Sequence, residues 1–152
     1  MKKYVLIVVF MLTSVAIYSQ NGEQPILKDD KFKEFCKESI DFYTSGTYIT
    51  FKKESNELIE KLPKEFEPGL YVDFDKWITN NLSLTKFNTV EEAKVLYTKV
   101  SKENKDIRKK DNELNKLMFE FIDKYGLDNF RAVYDKEVLL KCIKVWSANG
   151  LS

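Results

Sequence analysis

The stretch from Thr89 to Gly126 constrains this chain more than any other. Thr89-Val90-Glu91-Glu92 fits a capping box, in which Thr89 and Glu92 can each satisfy a free backbone amide at a helix start. Ala93, Tyr97, Val100, Asn104, Ile107, Asp111, Leu114, Met118, Phe121 and Tyr125 then follow at alternating four- and three-residue steps. That is a heptad-like seam with two polar interruptions, Asn104 and Asp111. Gly126 stands where a helix would end. Nine of the thirteen residues from Ser101 to Glu113 are charged, so this middle part must face water. With no Gly or Pro inside it, and with opposite charges at Lys102–Asp106 and Asp106–Lys110, one continuous helix over 89–125 is expected. The competing arrangement is two helices broken near Asn104–Asp111.

The flanking segments are also helical in pattern. Phe32, Phe35, Cys36, Ser39, Ile40 and Tyr43 recur at helical steps after Asp29 and Asp30, with Gly46 as the expected stop. Tyr48, Phe51, Ser55, Leu58, Ile59 and Leu62 define a second helical face ending at Pro63. Thr47 to Phe51 is β-branched and aromatic, which suits a strand, but Tyr71-Val72 is the sole candidate partner and is very short. Helix is therefore preferred. Phe74, Trp77, Ile78 and Leu82 form a short helix starting near Asp73 or Asp75. Asp128 is the expected cap of a last helix carrying Phe130, Val133, Tyr134, Val138, Cys142, Val145 and Trp146, with Gly150 beyond it. The fold class is all-α: a single bundle of four or five helices over residues 29–150, preceded by a flexible lead-in at 20–28.

Residues 1–19 read differently. Lys2 and Lys3 precede an apolar run from Tyr4 to Tyr18, broken by Thr13 and Ser14, and then Ser19-Gln20. This is the pattern of a cleaved signal peptide, and the run falls short of the roughly 20 residues of a spanning helix. Its Tyr-Ser-Gln ending is similar to bacterial export leaders. Cleavage after Ser19 leaves 23 basic residues against 24 acidic ones, so the mature chain has no net attraction to nucleic acid and no basis for stable membrane insertion. Periplasm or exterior is the expected location.

Chemistry is narrowed by what the 152 residues lack. There is no histidine, which excludes a Ser-His-Asp triad, an H-E-x-x-H zinc site and a His general base. No cofactor or metal site is implied, and no residue stands out as catalytic. Glu65, Glu67, Asp73 and Asp75 cluster by sequence and supply the one route to a carboxylate-dependent hydrolase of envelope polymers. Cys36 and Cys142, on the apolar sides of the first and last helices, form the even pair that an exported protein can bridge, or else two buried thiols. Phe32, Phe35, Phe42, Tyr43, Tyr48 and Phe51 can fill a core or line a groove for an apolar ligand. The expected role is a non-catalytic binding or interaction module, with another envelope protein as partner; an apolar-ligand carrier and the hydrolase are the alternatives. Protein purified from its own cells should begin at Gln20 by N-terminal sequencing. A Met1 start in a cytosolic fraction would remove the export expectation.

Overall fold

The computed structural model describes residues 25–64, 66 and 73–151. The leader, the first half of the lead-in, Glu65, Glu67 and Tyr71-Val72 lie outside the described residues. Every regular element among those described is helical. In chain order these are α1 (Asp30–Tyr43), α2 (Gly46–Lys61), α3 (Phe74–Asn81), α4 (Val90–Thr98), α5 (Lys105–Tyr125), α6 (Leu127–Tyr134) and α7 (Leu140–Ala148). None of the described helices is long and apolar enough to cross a membrane.

Two hydrophobic clusters organise these helices. The first joins Phe32, Phe35 and Cys36 of α1 to Leu114 and Phe121 of α5, Phe130 and Val133 of α6, Val138, and Cys142 of α7. The second joins Leu58 of α2, Phe74 and Ile78 of α3, Phe87, and Ala93 and Leu96 of α4. Helix α2 therefore serves both ends of the molecule. Tyr48 packs on Tyr43 and Trp146 near the first cluster, while Leu58 belongs to the second. Its inward face changes along its length, which explains why Ile49 is buried and Ile59 is 68% exposed, the reverse of a single stripe.

The expected continuous helix over 89–125 is interrupted. A π-helical turn occupies Lys99–Glu103, and Asn104 (φ −91°, ψ 30°) separates α4 from α5. Asn104 donates from both its backbone N (3.3 Å) and its Nδ2 (2.8 Å) to the Lys99 carbonyl, while the Arg108 guanidinium caps the Ser101 carbonyl. Polar side chains that can bond the backbone offer it an alternative to the regular ladder, and here that alternative wins. The break also lets the two halves serve different clusters. The seam survives as burial, since all ten of its residues are buried or half-buried. The expected Asp106–Lys110 attraction is replaced by a contact between helices, with Lys110 reaching Glu38 of α1 at 2.8 Å.

Caps follow the sequence with small shifts. Thr89 Oγ1 accepts from Glu92 N at 3.1 Å as expected, but Glu92 reaches back to the Asn88 amide (3.0 Å) and also pairs with Lys61 at 2.5 Å. Gly46 does not stop α1; it begins α2. The Ser45 hydroxyl accepts from Tyr48 N (3.2 Å) and donates to the Phe42 carbonyl (2.7 Å), capping one helix while closing the other. Gly126 alone separates α5 from α6, and its φ of 81° demands glycine. It displaces Asp128, which lies in the first turn of α6 instead of capping it. Past α7, Leu151 N bonds the Trp146 carbonyl and Gly150 N the Ser147 carbonyl, a Schellman ending that buries Leu151.

Within the expected lead-in, a 3-10 turn (Pro25–Lys28) buries Ile26 in the first cluster. The adjoining Asp29 does three jobs. It accepts from Lys31 N (2.9 Å) as the α1 cap, from Lys124 Nζ (2.8 Å) and from the Tyr125 phenol (2.6 Å) at the end of α5. These hydrogen bonds, led by that from Lys124, hold its carboxyl well below the usual range. Because the folded pKa is depressed, the stabilisation is present above the unfolded value of about 4 and is lost as pH falls beneath it. Asp29→Asn keeps a capping oxygen and removes the charge, so it should unfold more easily than wild type at pH 7, with the gap narrower at pH 3 and closing only well below it. Asp29→Ala should cost about 1 kcal/mol more at pH 7 through the lost cap. Urea melts at both pH values check this, and an unchanged gap would contradict it.

Candidate functional site

A cavity of about 300 Å³, partly open to solvent, lies among α1, α2, α5, α6 and α7. Its apolar wall is built from Phe35, Leu114, Met118, Val138, Leu139 and Cys142. Tyr43, Tyr48, Tyr134 and Trp146 add rings with polar edges, and Asp111 and Asn115 add polar groups from one turn of α5. The volume sits at the small end of the range of roughly 300–1,000 Å³ for small-molecule sites.

Each part follows from a local feature of the chain. Asp111 and Asn115 are four apart on α5, on the face that the seam turns inward. Tyr43 ends α1 and Tyr48 opens α2, and the two-residue connection brings their rings to 5.0 Å with an edge-on tilt of 77°. Trp146 Nε1 donates to the Tyr43 carbonyl at 2.7 Å, which satisfies an otherwise free carbonyl near the end of α1 and locks the indole against both tyrosines. Phe42 supports this wall from behind, 5.1 Å from Tyr43 and 5.0 Å from Tyr48.

The remaining wall is irregular. Between α6 and α7 a π-helical turn spans Asp135–Leu139 and turns Val138 and Leu139 toward the cavity. π turns inside α-helices recur at functional sites, because the extra residue re-aims side chains without ending the helix.

Burial shapes the acid–base behaviour of this region. It is the main cause raising the Tyr43 phenol far above its ordinary value, with the negative field of Asp111 and a hydrogen bond to that carboxylate adding to it. Tyr48 is pushed up to about 12, by burial first and then by Asp111. Tyr134 also reaches about 12 through burial, eased by the nearby Ser39 hydroxyl, whose geometry falls short of a full hydrogen bond.

Cys36 and Cys142 are both buried and free, members of the first cluster with no bridge between them. Burial pushes the Cys36 thiol up to about 12 and that of Cys142 up to about 11. Such thiols form little thiolate at neutral pH and are correspondingly unreactive. Among the described residues no group of three or more Cys, Asp or Glu side chains is placed to hold a metal ion.

The sequence-derived candidates are thus only partly brought together. Of the six aromatics proposed for a groove, Phe35, Tyr43 and Tyr48 line the cavity. Phe32 is buried in the core and borders a second depression of about 320 Å³ on the other side of α1. The lysines of that depression are paired along their own helices, Lys33 with Asp30, Lys37 with Asp41 and Lys141 with Glu137. Asp73 is exposed and caps α3 through Lys76 N (3.1 Å), and Asp75 is exposed beside it, so neither is the shielded carboxyl that a hydrolase requires. Asp111, Asn115, Tyr134 and Trp146 were missed as site residues. The available signal was the charged break that Asp111 makes in the seam.

Compared with family models, curated proteins and solved structures, the chain matches none. Its raised phenols give a direct check of the cavity's surroundings. Because folding favours their neutral forms, their contribution to stability is complete below the unfolded value of about 10 and is lost as pH rises above it. Absorbance titration near 295 nm should show at least three tyrosines resisting ionisation past pH 11 until the helices melt. Uniform titration near pH 10 with helicity intact would contradict this.

Proposed function

We propose that this chain is an exported protein of the bacterial periplasm or exterior that binds a small ligand in the α1/α2/α5/α7 cavity and does not transform it. The observation that carries the reading is the cavity itself, where phenols, an amide and a carboxylate meet beside a π turn. Convergent polar groups in a mainly apolar hollow are what small-molecule recognition requires. Binding without catalysis is supported by two features. The sequence has no histidine, and Asp111 is the single carboxylate lining the cavity among the described residues, whereas carboxylate hydrolysis uses a pair. Export is supported by the leader pattern of residues 1–19.

An envelope protein as partner has weaker support. Leu140 and Ile143, three apart on α7, are 54% and 42% exposed, which makes a patch of two side chains. Single exposed apolar residues are ordinary on protein surfaces.

A fragment screen of the mature chain by two-dimensional NMR tests the cavity. Saturable shifts should concentrate on Tyr43, Asp111, Asn115 and the Trp146 indole. If no fragment moves these resonances at millimolar concentration, the cavity is not a binding site and the reading falls.

A further inference from the structure

The cavity's chemistry is one-sided. Among the described residues, five aromatic side chains and one carboxylate line it, with no lysine or arginine. On α5, Lys110 pairs with Glu38 of α1 at 2.8 Å and Arg108 holds the Ser101 carbonyl. None of the ion pairs formed by the described residues includes Asp111.

The indole N–H of Trp146 is already held by the Tyr43 carbonyl, so Trp146 presents its ring rather than a donor. What the aromatic residues offer a ligand is ring surface, whose face is electrically negative.

We propose that the cavity binds an organic ammonium compound, its methylated cationic head against Tyr43, Tyr48 and Trp146 and its charge opposite Asp111. This inference rests on the cavity being a binding site and specifies what enters it. Other ligand classes fit less well. An anion would meet Asp111 with no lysine or arginine among the described lining residues to offset the repulsion. A neutral ring would cover a carboxylate without supplying a countercharge, which is costly. A bare metal cation favours several charged oxygen ligands, whereas the described lining offers one carboxylate beside an amide and phenols. A methylated ammonium is large, weakly hydrated and cationic, the combination that aromatic walls select.

The test compares choline with 3,3-dimethyl-1-butanol, which has the same shape without the charge. Each is titrated into the mature chain while the Trp146 indole resonance is followed by NMR. Choline should bind at least tenfold more tightly than the neutral alcohol. Asp111→Asn should weaken choline at least tenfold and leave the alcohol unchanged, with circular dichroism confirming the fold. If that variant unfolds, the contrast between the two ligands on the wild-type chain decides. Equal affinity for both overturns the ammonium assignment and leaves cavity binding standing. The ammonium assignment is overturned in the same way if neither ligand binds while other fragments do. A cavity that no compound enters overturns both readings.

Discussion

The structure depends on a cluster of four phenylalanines that clasps α1 to the second half of the chain. Phe32 meets Phe121 edge-on at 5.2 Å and Phe130 at 5.9 Å, while Phe35 lies 5.3 Å from Phe121. These contacts join residues about ninety positions apart, so they close one of the largest loops in the fold. Offset and edge-on ring pairs add roughly 0.5–1.5 kcal/mol each beyond the area they bury. Once α1 is fixed on α5 and α6, Asp29 meets Lys124 and Tyr125, and Tyr43 meets Trp146. The aromatic side of the cavity is a by-product of that closure.

The second cluster is held differently. Lys61 is its polar fastening, pairing with Glu57 at 2.9 Å and Glu92 at 2.5 Å while its carbonyl accepts from Lys86 N at 2.8 Å. One residue thereby ties the end of α2 to the start of α4 and to the strapping segment before it. Both Lys61 and Glu92 remain partly solvated, so this fastening sets geometry more than it adds stability.

Much of this architecture was legible because its signals are local. The all-helical class, the caps at Asp29, Asp73 and Thr89 and the glycine ends at Gly126 and Gly150 each depend on neighbours within a few residues. The seam over 93–125 also reads correctly as burial. What escaped is set by distant partners. Asn104 breaks the helix because α4 and α5 answer to different clusters, which no single-helix pattern contains. Ile59 turns outward because α2 changes neighbours halfway along. The π turn at 135–139 did leave a trace, since the buried positions Phe130, Val133, Val138 and Cys142 are spaced three, five and four apart. The five-residue step is the mark of the extra residue. Asp111 was visible as an interruption of the seam, but its place beside Tyr43 and Trp146 depends on segments far from it in the chain.

That extra residue sets helix regularity and cavity shape at odds in one place. A chain shortened by one amino acid between Asp135 and Leu139 would restore an unbroken α-helical ladder, with Phe130 and Cys142 still facing the same core. Such a deletion would straighten the cavity wall at Val138 and Leu139. The hollow keeps its present wall because the helix there carries one residue more than a regular ladder needs.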